Sequence, residues 1–203
     1  MAIRAVIFDL GGVLLRSEDP TPRRLLAERL GLPLEQIYYH VFDSLSAQQA
    51  TLGKISVSSH WETVRQSLGL STEEFPSAVE AFWAGDRLDM ALVDAIRTLR
   101  PRYKTALLSN AWDNLRPALE NEWKIADAFD ELFISAELGV AKPDARIYEL
   151  ALRRLQVSPP EAVFVDDFLN NVTAARQLGI HAIHFRNTSQ TLGELHSLLD
   201  GQT

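Results

Sequence analysis

The sequence predicts an α/β fold: a Rossmann-like core with a mostly parallel sheet plus a small all-helical cap domain. Two observations lead there. Five short apolar runs fit strands buried on both faces, and helical patterns separate the later ones, as right-handed crossovers in a parallel sheet require. One stretch, from about Thr21 to Asp86, breaks this rhythm by offering helical signals alone. A chain of 203 residues, 46% hydrophobic and 23% charged, is long enough for such a core and an insert.

The strand runs are Ala5–Phe8, Thr105–Leu108, Leu132–Ile134, Ala162–Val165 and His181–Phe185. Pro143-Asp144 precedes Ile147, Leu150, Ala151 and Leu155 at helical spacing. Asn170 or Asn171 caps a helix ending near Gly179, and Thr188 starts the last one through Leu192, Leu195 and Leu199. In the insert, Thr21-Pro22 opens a helix carrying Leu25, Leu26 and Leu30, and a second run extends from Leu34 to Phe42. Ser58 or Ser59 opens a third from Trp61 to Leu68, and Ser71-Thr-Glu-Glu74 reads as a capping box. The resulting division is a core of residues 1–16 and 87–203 and a cap of residues 17–86, packed over the core as a lid.

The formal charge of −7, without a basic run, argues against nucleic acid or an anionic membrane as partner. Any bound phosphate must be held by a local site. No cysteine is present, which removes disulfides, thiolate catalysis and thiolate metal sites. The apolar start runs directly into Asp9, and no later stretch reaches the ~18 apolar residues of a membrane span. The expectation is a cytoplasmic monomer or homodimer acting on a small molecule.

In open parallel sheets ligands gather beyond the carboxyl ends of the strands, so polar residues just after apolar runs are the candidates. Asp9 ends the first run and precedes two glycines that allow close backbone approach; it is either a nucleophile or the cap of a turn. Ser109 and Asn110 follow the second, where a hydroxyl and a backbone N–H fit a phosphoryl oxygen or simply a turn. Lys142, before Pro143, is either a point charge for a phosphate and an anionic nucleophile or a solvated side chain. Adjacent Asp166 and Asp167 call for a cation such as Mg²⁺, unless one caps a helix and the other faces water.

Together these segments resemble the four motifs of the haloacid-dehalogenase-like hydrolase superfamily, over essentially the whole chain. Phe8-Asp-Leu-Gly-Gly-Val13 looks like the first motif, Leu107-Leu-Ser-Asn110 the second, Lys142-Pro143 the third and Val165-Asp-Asp167 the fourth. The resemblance implies a phosphatase-type protein with a helical cap inserted after the first motif. Asp9 would form a covalent aspartyl intermediate, and Ser109 and Lys142 would hold the transferring group. Asp9, the Gly11 carbonyl and Asp167 would bind Mg²⁺, with Asp166 as a further ligand or a partner behind them.

The sequence departs from the family at Gly11, where phosphatases usually carry a second Asp that protonates the leaving alcohol and activates water. General acid–base catalysis is worth about 10²–10⁴-fold. Three activities remain: a phosphatase that uses another proton source or a good leaving group, a 2-haloacid dehalogenase, or a binding module with little turnover. Ser109-Asn-Ala-Trp-Asp113 looks like part of the dehalogenase fourth motif but stands in the wrong place. A receiver domain would need its acid pair after the first strand, and neither a P-loop nor a dinucleotide fingerprint is present. Arg16, Glu18, Tyr38, Tyr39, His40 and Trp61 are candidates for substrate selectivity by residue type. Each also has an ordinary structural explanation: cap packing for Tyr38 and Trp61, a solvated hinge for Arg16 and Glu18, a helix surface for His40.

Overall fold

The computed structural model describes residues 2–100 and 102–200. Along the core, β1 (Ala5–Phe8) and β2 (Leu15–Ser17) lead into five helices: α1 (Thr21–Leu30), α2 (Leu34–Tyr38), α3 (Leu45–Thr51), α4 (Val57–Ser67) and α5 (Phe75–Trp83). The chain returns through β3 (Asp86–Leu88), α6 (Met90–Leu99), β4 (Lys104–Ser109), a turn of helix α7 (Leu115–Pro117), β5 (Glu131–Ile134) and α8 (Ser135–Leu138). It closes with α9 (Ala145–Leu155), β6 (Ala162–Asp166), α10 (Leu169–Gln177), β7 (His181–His184) and α11 (Thr188–Asp200).

Five strands pair in parallel in the order β5-β4-β1-β6-β7. Side chains alternate between the faces of a sheet, and here both faces are apolar. Val6, Phe8, Leu107, Val163 and Val165 join Leu92, Val93 and Ile96 of α6 and Leu195 and Leu199 of α11. Ala5, Ile7, Ala106, Leu108 and Phe164 join Ile147, Tyr148, Ala151 and Leu155 of α9. This double burial is why the strands read as continuous apolar runs. The strand order puts β1 at the centre, so Asp9 emerges between the ends of β4 and β6.

The insert has its own core of Leu26, Ala27, Ile37, Val41, Val64, Leu70, Ala78 and Phe82. Buried Arg23 ties its first helix to the point of return. It donates to the Phe82 carbonyl (2.8 Å) and the Tyr38 hydroxyl (3.0 Å), and pairs through one nitrogen with both oxygens of Asp86 (2.7 and 2.8 Å). Its guanidinium also lies 4.4 Å from the centre of the Phe82 ring.

Three boundaries differ from the sequence expectation. Ser56, not Ser58 or Ser59, caps α4 by accepting the Ser59 N–H. Asn170 and Asn171 lie inside α10, because its first turn is instead anchored by Asp166 accepting the Phe168 N–H (2.8 Å). The Ser71–Glu74 box forms reciprocally, but it closes a turn just before α5. The antiparallel pair β2–β3 was not foreseen, since three-residue strands are too short to show a period.

Removing one partner of a buried ion pair leaves an uncompensated charge, at a cost of about 3–5 kcal/mol. Arg23→Ala should therefore destabilise the protein by an amount in this range, measured as the shift in a urea unfolding transition.

Candidate active site

Asp9 follows β1 and is held there by its N–H bond to the Val165 carbonyl (2.9 Å). Its Oδ1 accepts from the Leu10 N–H (2.7 Å) and lies 2.8 Å from Lys142 Nζ. Both contacts fall on Oδ1, so Oδ2 is the oxygen left for a ligand. Lys142 Nζ also reaches Asp166 Oδ2 at 2.7 Å. One ammonium thus bridges two carboxylates, and all three groups are buried.

Asp166, at the end of β6, is saturated by the protein. Besides Lys142 and the Phe168 N–H, Asn171 Nδ2 donates to its two oxygens at 3.0 and 3.1 Å. Asp167 is the opposite case. Its Oδ1 is buried and has no hydrogen-bond partner among the described residues. An unpartnered buried carboxylate oxygen is expensive, and its neighbours identify what would satisfy it. Oxygens of Asp9, Asp166 and Asp167 lie within 4.8 Å of one another, an oxygen-only set of the kind a hard divalent cation such as Mg²⁺ prefers. The residues present therefore fit a metal. With Asp166 occupied by Lys142 and Asn171, Asp9 and Asp167 are the carboxylates best placed to face it.

The two glycines after Asp9 differ. A Cβ on Gly12, whose φ is +75°, would lie 2.0 Å from Asp167 Oδ2, so the Asp167 carboxylate occupies the space of the missing side chain. A Cβ on Gly11 would meet nothing within 4 Å. On its other side Asp167 is braced through its backbone, whose carbonyl is 2.9 Å from His184 Nε2.

Ser109 is buried at the end of β4, next to the strand that carries Asp9. The Asn110 side chain does something the sequence did not reveal. Its Oδ1 accepts from the Lys142 N–H and its Nδ2 donates to the Lys142 carbonyl, both at 2.8 Å. Asn110 thereby holds the backbone that carries the ammonium. Asn171 and His184 were likewise missed, because only the fold brings them to the acids.

Among the selectivity candidates, Tyr38 and Trp61 pack in the aromatic interior of the insert. Arg16 is bonded to the Val13 carbonyl and to Asp89, so it is engaged at the hinge rather than solvated. Glu18 and Tyr39 are exposed and His40 is half-buried.

Burial raises the Asp9 carboxyl from 3.8 to about 7; Lys142 opposes the shift and the charge of Asp166 adds to it. Asp167 is raised as well, by burial first and then by Asp166.

The fold and site place the chain among α/β enzymes with an acidic centre at the carboxyl end of a parallel sheet. It belongs to the haloacid dehalogenase-like hydrolase family, which matches residues 3–179. It is 30% identical to bifunctional epoxide hydrolase 2 of Rattus norvegicus over all of its length, but spans only 40% of that protein. It is 28% identical to D-ribitol-5-phosphate phosphatase of Bacteroides thetaiotaomicron, covering 98% of this chain and 99% of the relative. A crystal structure of a HAD family enzyme from the same organism, in complex with magnesium and inorganic phosphate, superposes with a TM-score of 0.75 at 24% identity, over 94% of this chain and 99% of that one. No helix among the described residues is long and apolar enough to cross a membrane.

Two outcomes follow. Protons compete with a cation for Asp9, so Mg²⁺ affinity measured by titration calorimetry should rise as the pH climbs through about 7, and Asp9→Asn should remove that component. Gly12→Ala should weaken Mg²⁺ binding by about 10–100-fold, the usual effect of disturbing a ligand's support, while Gly11→Ala leaves it unchanged.

Proposed function

We propose that the protein is a Mg²⁺-dependent phosphomonoester hydrolase. It acts on a small phosphorylated metabolite such as a sugar phosphate, with Asp9 as nucleophile and residues 17–86 as a lid. The observation that carries this reading is the Lys142 ammonium bonded to Asp9 and Asp166 beside the unpartnered oxygen of Asp167. The phosphatase relative and the magnesium–phosphate complex of the structural neighbour agree with it.

Lys142 opposes protonation of Asp9 and offers charge to the phosphoryl oxygens, to which the Ser109 hydroxyl also donates. Asp9, the Gly11 carbonyl and Asp167, with Asp166 behind them, would hold Mg²⁺, which would supply positive charge to offset the approach of two anions. Asp9 Oδ2 attacks phosphorus as the bond to the alcohol oxygen breaks, giving an aspartyl-phosphate. Water then attacks that phosphorus, releasing inorganic phosphate and restoring the carboxylate. Gly11 has no acid, so the departing alkoxide takes its proton from solvent. Good leaving groups are accordingly favoured.

Asp9→Asn should abolish p-nitrophenyl phosphate hydrolysis while leaving the circular dichroism spectrum unchanged. Since the space beside Gly11 is open, Gly11→Asp should be accommodated and should accelerate alkyl and sugar phosphates by about 10²-fold or more. p-Nitrophenolate leaves without a proton and should gain little; equal gains would refute the missing-acid account. EDTA should stop turnover and Mg²⁺ restore it. Metal-independent chloride release from 2-chloropropionate would establish a dehalogenase instead, and no turnover on any phosphorylated metabolite would leave a binding protein. The panel should set sugar phosphates against alkyl phosphates, because Phe168 and Leu169, next to the acid pair, are 66% and 56% exposed.

A further inference from the structure

The tract Asn110-Ala-Trp-Asp113 follows Ser109, and the chemistry above gives no role to its second half. Its first two residues are tied to the core. Asn110 pairs with both backbone groups of Lys142, and it is their only hydrogen-bond partner among the described residues. Ala111 is clamped by Ser135, donating its N–H to the hydroxyl (3.0 Å) and accepting from it at the carbonyl (3.1 Å).

The next two residues are tied to the insert. Trp112 lies against its hydrophobic core, stacked on Phe42 with ring centres 6.3 Å apart and tilted 18°. Its ring also meets His60, Trp61 and Trp83 at 5.0, 5.4 and 6.5 Å. His60 is itself fully buried and held at both nitrogens, by Ser46 and the Val41 carbonyl, so the surface receiving Trp112 is fixed. Asp113 Oδ1 accepts the Val57 N–H (3.1 Å) at the start of α4, where a carboxylate is favoured by the helix dipole.

We propose that this tract is a joint through which seating of the cap sets the position of Lys142, which makes Trp112 a positioning residue for the reaction. The linkage is continuous. The aromatic wall holds Trp112, the backbone from Trp112 to Asn110 spans two peptide units, and the Asn110 amide holds the Lys142 main chain whose side chain bonds Asp9. If the cap lifts, the loop loses two of its four anchors, and Lys142 keeps its backbone fixed only as well as Asn110 stays in place. A Trp112 that merely attached the cap would predict no effect on Lys142.

The test has one readout that does not depend on the proposed phosphatase reading. In the full chain, hydrogen exchange of the Lys142 amide should be at least about tenfold faster in Trp112→Ala than in the native protein. The amides of β1 should be unaffected, and Trp112→Phe should recover most of the protection. Unchanged Lys142 exchange, with acceleration confined to the cap helices, would overturn the joint. The kinetic arm rests on the phosphatase reading. On p-nitrophenyl phosphate, Trp112→Ala should lower kcat by about 10²-fold, the scale of a small misplacement of a catalytic group. The Asn110→Ala/Trp112→Ala double variant should then be no worse than Asn110→Ala alone, whereas losses that multiply would overturn the proposal. Leu26→Ala, in the cap core but not among the rings that meet Trp112, should lower Tm and leave kcat unchanged. If the native protein hydrolyses no phosphoester, the functional reading fails and the exchange result still decides the joint.

Discussion

A single ammonium placed between two carboxylates in the protein interior is the constraint around which this molecule is arranged. Lys142, Asp9 and Asp166 are each buried, and a buried charge without partners costs several kcal/mol. Each of the three is therefore secured from more than one side. The parallel strand order delivers Asp9 and Asp166 to adjacent strand ends. Asn171 shares Asp166 with the lysine, and Asn110 holds the lysine's main chain. The ammonium meets both carboxylates only if all of these elements are in place, so local packing of the core and the geometry of the site are the same condition.

The acid pair after β6 divides its work. Asp166 is turned inward and saturated by Lys142, Asn171 and the first turn of α10, whereas Asp167 keeps a buried oxygen without a partner. β6 ends at Asp166 and the chain bends at Asp167, so the two acids fall in different surroundings, one tied to the scaffold and the other left with an oxygen free of protein partners. His184 and Gly12 border Asp167 on two sides.

Much of this was legible in the sequence because it is local. Apolar runs marked all five strands of the sheet, most fully β1, β4 and β6, which are buried on both faces, and the acids and the hydroxyl stood where those runs ended. What escaped was long-range or lacked periodicity. Asn171 looked like a helix cap, because nothing in a single sequence shows that its amide reaches back to Asp166 across the first turn. Arg23 carried no signal in the sequence, because the Asp86 that matches its charge lies sixty-three positions away. Trp112 appeared to be a misplaced motif fragment until the cap core closed around it. Three-residue strands such as β2 and β3 carry too few side chains to alternate visibly.

The neighbouring glycines after Asp9 look interchangeable in the sequence and are not. At residue 12 the place of a side chain is taken by the Asp167 carboxylate, whereas at residue 11 it is vacant. Substitution at one is closed by geometry, and at the other it is limited only by chemistry. Evolutionary change on this scaffold therefore has room for a new side chain at residue 11 that leaves Asp167 undisturbed, and no such room at residue 12.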